Sequence, residues 1–205
     1  MMPPFVADVD MFIADRLVPH MDKILCGEES VFISPQYSNS PDGKSGPLFY
    51  QLFFDIDTKH VGQPRAMETA SKIVQNLDRV GVEYFFENSV TGVHIFSRHC
   101  YEIDFSYEKI KQKYGKQFTV SYPGFDYVSS LRNVPIPRVG SYNKQVLIKV
   151  QSTLEEAFND RTNELPGNVM SEQQLIRFWM GFLFPKRASR YISQMYRDMF
   201  IRGMN

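Results

Sequence analysis

Apolar residues recur along this chain with two different periods, and the changes of period sort it into elements. Near the start, Val9, Phe12, Ile13, Leu17, Met21, Ile24 and Leu25 fall at helical spacing, which predicts one or two helices interrupted near Pro19. Residues 31–33 form a short strand candidate. Residues 35–47 are rich in Pro, Ser, Gly and Asn and read as a loop; one of that length in a compact domain is often functional. Residues 48–54 are almost continuously apolar, the pattern of a central strand covered on both faces. Pro64 then suits the first turn of a helix, with Met67, Ala70, Val74 and Leu77 as its buried stripe and Gly81 as its cap.

Residues 82–86 and 93–97 are two strands joined by turn residues. Residues 105–116 are helical, with Tyr107, Ile110 and Tyr114 on one face. Residues 118–122 read as a strand, and 128–136 and 145–150 as extended. From Ser152 the period becomes helical. Leu154, Ala157 and Phe158 form one stripe, which Pro166-Gly167 breaks. Ser171 opens a capping signature before Leu175, Phe178, Trp179 and Phe182. Pro185 interrupts again, and residues 188–202 form a last helix. The expectation is an α+β core over residues 1–151 and a small helical element over 152–205, with no internal repeat.

Composition narrows the partners. The 205 residues are 43% hydrophobic and 14% aromatic, enough to bury a proper core. Formal net charge is zero, so contact with a polyanion must come from a local patch. No residues near the start combine a basic segment with an apolar stretch, and no apolar run reaches the length of a membrane span. A soluble, intracellular protein without a membrane partner is expected. Two cysteines, Cys26 and Cys100, are too few for a disulfide scaffold. With His20 and His99 they make a zinc set by count, but His99 and Cys100 are adjacent rather than spaced as chelating ligands are, so no zinc is expected.

The chemistry lies in three short motifs. Asp55-Ile56-Asp57 ends the apolar run, and alternation along a strand projects both carboxylates to one side. Two acids at the tip of so apolar a strand repel each other unless a cation lies between them. Mg²⁺ and Mn²⁺ take such hard oxygen ligands, and two-metal phosphoryl transfer needs a third acid from elsewhere. Asp126 is the candidate, with Asp104 as the alternative. Gly92-Val93-His94 opens a strand that a helix and a hairpin bring alongside the aspartates, where His94 is placed to donate to a phosphate oxygen. Arg138, Ser141, Asn143 and Lys144 form a compact polar run suited to a phosphate or sugar.

In this order the motifs over roughly residues 30–150 resemble motifs I, II and III of the archaeo-eukaryotic primase superfamily. The resemblance implies a primase or primase-polymerase of plasmid, viral or mobile-element type, with an αβ module and an RRM-like antiparallel module around the active site. It implies Asp55, Asp57 and Asp126 as catalytic metal ligands for Mg²⁺ or Mn²⁺. It implies His94, Arg138 and Lys144 on the triphosphate of an incoming NTP or dNTP, with Ser141 and Asn143 nearby. Family members often carry Ser-x-His where this chain has Ser141-Tyr142-Asn143. The implied partners are a single-stranded DNA template and, since no Gly-x-x-x-x-Gly-Lys-Ser/Thr is present, a separate helicase.

Arg177, Lys186, Arg187, Arg190, Arg197 and Arg202 make residues 177–202 the most basic stretch. They read equally as a template backbone contact and as a solvated helix face. Tyr37 is a minor candidate for stacking a base. Two other readings of the residues stay open: a glycosyltransferase using Asp-x-Asp to hold a metal–nucleotide-sugar, and a non-catalytic single-strand-binding module whose acids are structural.

Overall fold

The computed structural model describes residues 9–38, 46–132 and 134–201. Helices α1 (Val9–Phe12) and α2 (Met21–Leu25) are joined by a π turn and a 3-10 turn, the latter at Val18–His20, where Pro19 stands. Strands β1 (Phe32–Ile33), β2 (Gln36–Ser38) and β3 (Leu48–Asp57) follow, then helix α3 (Gln63–Arg79), the pair β4 (Tyr84–Asn88) and β5 (Gly92–Glu102), helix α4 (Tyr107–Ser121) and the single turn α5 (Tyr127–Leu131). Short strands β6 (Ile136–Pro137), β7 (Tyr142–Asn143), β8 (Val146–Leu147) and β9 (Val150–Gln151) lead to helices α6 (Leu154–Asn159), α7 (Pro166–Val169) and α8 (Glu172–Phe182), strand β10 (Lys186–Tyr191) and helix α9 (Ile192–Phe200). The fold is mixed α+β. Of the loop expected at 35–47, residues 39–45 lie outside the described set, as does Arg202.

The main sheet runs β2-β3-β5-β4-β9, every neighbouring pair antiparallel. β3 lies inside the sheet between β2 and β5, as its apolar run requires. Leu52, Phe54 and Ile56 of β3 and Val93 and Ile95 of β5 share a cluster with Ile73 and Leu77 of α3, Tyr114 and Phe118 of α4, and Tyr196 and Phe200 of α9. The stripe of α3 is centred on Ala66, Ala70, Ile73 and Leu77, with Met67 and Val74 at its margin. A second cluster joins the N-terminal helical turns (Ile13, Leu17, Met21, Ile24) to Val139, Leu147, Leu175 and Trp179. The Trp179 indole donates to Val139 O at 3.1 Å, and the capping box at Ser171 is present.

Three expectations need correction. Residues 118–121 are the last turn of α4, not a strand: Phe118 stacks on Tyr114 one turn earlier, the Thr119 hydroxyl donates to Gly115 O at 3.0 Å, and Val120 is left 73% exposed. Residues 127–131 form α5 rather than extended chain, because Asp126 caps them. Residues 186–191 are a strand, not helix: β10 pairs parallel with β5 from Lys186↔His99 onward, taking the side of β5 that β4 leaves open after Tyr84↔Ser97. The segment from 152 onward is therefore no appended helical element. It supplies a strand to the main sheet and apolar residues to both clusters. Among the described residues no helix is long and apolar enough to cross a membrane.

Candidate metal and nucleotide cleft

The acidic end of β3 is built by three strands and a returning loop. Asp55 pairs across β5 with His94, and His94 across β4 with Glu87, so an acid, an imidazole and an acid lie in one row on one sheet face. Asp57 pairs with Gly92. A side chain at Gly92 would meet Ile56 O at 1.8 Å, so the glycine of Gly-x-His is fixed by the approach of the two backbones beside Asp57. Residues 124–126 then run back along the tip of β3. Asp57 N donates to Gly124 O at 2.8 Å and Asp126 N to Asp55 O at 2.9 Å. Gly124 has φ +87°, and a Cβ there would stand 2.8 Å from Asp57 O.

This return places Asp126 beside Asp55. Its carboxylate caps α5: Oδ1 accepts from the amides of Val128 (3.1 Å) and Ser129 (3.0 Å), and Oδ2 from the Ser129 hydroxyl (2.7 Å). The Ser130 hydroxyl donates to Asp126 O at 2.7 Å and accepts from Asp55 N at 3.0 Å, tying the acids together through backbone. Asp104, the alternative third acid, instead caps α9 through Ser193.

Burial and neighbouring acids both act on Asp55. Burial, then Asp126, then Asp57 push its carboxyl up to about 7. Burial, followed by the Arg138 charge, pushes His94 down to about 3. His94 Nε2 lies 3.7 Å from Asp55 Oδ1; at that distance, with a neutral imidazole, the contact is neither an ion pair nor a formed hydrogen bond. His94 Nδ1 is buried with no hydrogen-bond partner.

A cleft of about 280 Å³ opens over this face. Asp55, Asp57 and His94 line it together with Ser129, Asn143 and Lys144. The last two belong to the β7–β8 hairpin, whose two-residue loop puts Lys144 at φ 47° and Gln145 at φ 66°. Such a loop favours glycine or asparagine at both places, so a lysine and a glutamine there are held under backbone strain.

Two expected nucleotide contacts lie elsewhere. Arg138 is fully buried. Its Nε and Nη2 donate to the Glu87 carboxylate at 3.1–3.2 Å, Nη2 also donates to Phe182 O at 3.1 Å, and the guanidinium sits 3.8 Å from the Phe96 ring centroid. A buried cation needs such a partner, and Glu87 holds Arg138 beneath the cleft instead of on its wall. Ser141 is also buried: its hydroxyl accepts from Val31 N (3.0 Å) and donates to Val31 O (2.8 Å), clamping the N-terminal segment. Glu87 went unnoticed in the sequence. Its signal is an acid inside the aromatic run Tyr84-Phe85-Phe86-Glu87. Tyr37 is fully buried, its hydroxyl held between Gln51 Oε1 and Leu183 O, and is not presented to a base.

The basic C-terminal residues serve several contacts. Arg187 stacks on Phe49, Arg190 donates to Val80 O, and Arg197 lies 3.8 Å from Asp198. Cys26 is an exposed free thiol and Cys100 a buried one.

Among the described residues no three His, Cys, Asp or Glu side chains stand ready-made as a metal cage, since Asp126 directs both oxygens at α5. The chemistry of the donors still suits a hard divalent cation. Asp55 and Asp57 offer oxygen from one strand face, and a bound cation would favour the ionised Asp55 carboxylate against the burial, and then the neighbouring acids, that push it up to about 7. Compared with protein-family models, with curated proteins and with solved structures, the chain has no match.

Proposed function

We propose that this protein is a primase-polymerase, joining nucleoside triphosphates on a single-stranded DNA template. The carrying observation is the convergence of Asp55, Asp57 and His94 on one wall of a cleft that has Lys144 and Asn143 among its other lining residues. The β-α-β-β-α order of β3, α3, β4, β5 and α4 supports the RRM-like antiparallel module the motifs imply.

Bound Mg²⁺ or Mn²⁺ would lower the pKa of the attacking hydroxyl and neutralise charge on the triphosphate. Asp55 and Asp57 would hold the cation, and Asp126 would complete the set by turning an oxygen away from the donors of α5. His94, neutral at physiological pH, is free to donate one hydrogen bond to a phosphate oxygen without binding phosphate as a charge. Lys144 brings the positive charge at the cleft, and Asn143 an amide. Arg138 acts from below as a positioning residue, packing against Phe96 in the layer that carries His94.

The test is incorporation of labelled nucleotide on a primed and an unprimed single-stranded template with Mn²⁺. Joint replacement Asp55→Ala and Asp57→Ala is expected to lower incorporation at least about 100-fold, while circular dichroism stays native. Undiminished incorporation by that variant would reject the reading. Tight single-strand binding without uptake of Mn²⁺ or nucleotide would point instead to a non-catalytic binding module. Hydrolysis of a nucleotide sugar without incorporation would point to a glycosyltransferase.

A further inference from the structure

A second cavity, of about 350 Å³, lies at the opposite end of β3 from the aspartates. It is bounded by the start of β3 (Leu48, Tyr50), the start of α4 and the end of α5. Its wall is mostly apolar: Ile103, Phe105, Ile110, Leu131 and Ile192 contribute to it. Polar side chains break that wall, Gln36 among them. Tyr50, 5% exposed, and Tyr107 both line it, and the Tyr107 hydroxyl is buried with no hydrogen-bond partner. A buried hydroxyl without a partner is unfavourable. Arg132 is exposed and lines it too; its guanidinium sits 5.8 Å from the Tyr107 ring centroid, and among the described residues it makes no ion pair. Ser106, the N-cap of the 15-residue helix α4, adds the positive end of a helix dipole. No acidic side chain lines the cavity among the described residues.

We propose that this cavity binds a small apolar carboxylate, its hydrocarbon body among the aliphatic and aromatic side chains and its carboxylate on Arg132. An apolar body answers the wall and an anion answers the unpaired guanidinium. The ligand also reaches α5, the turn whose other end is Asp126 at the cleft: Leu131 and Arg132 line the cavity, while Ser129 lines the cleft. Occupancy therefore restrains α5. The binding itself does not depend on the activity proposed above.

The probes are octanoate, octanol and octylammonium, titrated into the full chain by calorimetry without nucleotide or metal. Octanoate is expected to bind at least about tenfold more tightly than the other two, a factor of ten being about 1.4 kcal/mol. Arg132→Gln should abolish that preference while octanol binding stays unchanged, which also shows that the cavity still forms. Leu131→Trp should fill the space and weaken all three probes. Bound octanoate should slow amide exchange in residues 127–131. The proposal is overturned if octanoate does not bind at millimolar concentration, if the three probes bind alike, or if Arg132→Gln keeps the preference for octanoate.

Discussion

The two faces of the central sheet come from the same strands and obey opposite rules. On the face toward α3, α4 and α9, Leu52, Phe54, Ile56, Val93 and Ile95 share one hydrophobic cluster with the helices, and aromatic rings pack edge to face around Phe118. On the cleft face, one residue further along each strand, stand Asp55, His94 and Glu87 in a row, with Arg138 packed against them. Burying ionisable groups is costly, and this face meets the cost in two ways. Glu87 and Arg138 are bonded to each other, although burial still holds the Glu87 carboxyl above its ordinary range, whereas Asp55 and His94 lack such a partner and are pushed toward neutrality, one upward and the other downward. The first arrangement joins two charged groups, and the second leaves Asp55 and His94 without a formed ion pair or hydrogen bond to each other.

The comparison is broken most severely at Glu87. Glu87→Gln should destabilise the fold by about 3–5 kcal/mol in urea unfolding, because it strands a buried guanidinium. The double change Glu87→Leu with Arg138→Met should restore most of that loss. On the other face Phe54→Ala should cost a similar amount, about 3–5 kcal/mol, through an empty cavity. A loss below about 1 kcal/mol for Glu87→Gln would mean that the pair is not buried as described.

The next effect is one of sign. The folded-state pKa of Asp55, about 7, lies above its ordinary 3.8, so its contribution to stability is present in acid and is lost as pH rises toward 7. That of His94, about 3, lies below its ordinary 6.5, so its contribution is present above 6.5 and is lost as pH falls toward 3. Between about pH 4 and 6.5 the two slopes oppose each other and nearly cancel. Asp55→Asn should expose the histidine slope, with stability falling in acid by up to about 1.4 kcal/mol per pH unit. His94→Gln should expose the opposite slope, stability falling as pH rises. Chemical denaturation across that range measures both, and parallel curves for the two variants would contradict the assignment.

The smallest effect lies at the cleft mouth. Gln145→Gly should relieve the left-handed backbone of the β7–β8 loop and stabilise the protein by about 1 kcal/mol, raising the melting temperature by about 2–4 °C. A lower melting temperature would show that Gln145 makes a contact outweighing its strain.

Legibility in the sequence followed the range of the forces involved. β3 was readable because a strand buried on both faces must be apolar throughout. Asp55, Asp57 and His94 were readable because a two-residue period and a short hairpin fix their side. Asp126 was placed beside Asp55 from motif order, and the backbone bonds of residues 124–126 provide the physical link. Arg138 was misread because its partner lies 51 residues away in another strand; nothing local tells a phosphate-binding arginine from one neutralised by a distant acid. The end of α4 was misread because Thr119 and Val120 favour strands, while the aromatic pair Tyr114–Phe118 carries the helical period. β10 was invisible because Lys-Arg-Ala-Ser-Arg-Tyr has no alternation of its own. It is a strand because β5 outruns β4 and leaves backbone groups open.

That last pairing sets the order in which the molecule is completed. Lys186 joins a strand neighbour 87 positions earlier, and Leu175, Trp179, Tyr196 and Phe200 close both apolar clusters. A nascent chain leaving the ribosome therefore carries the acidic strand and its helices with one flank of the sheet bare until residues beyond 186 emerge. Cutting at 151 leaves that flank bare permanently, so such a fragment should accumulate as aggregate instead of as a folded half.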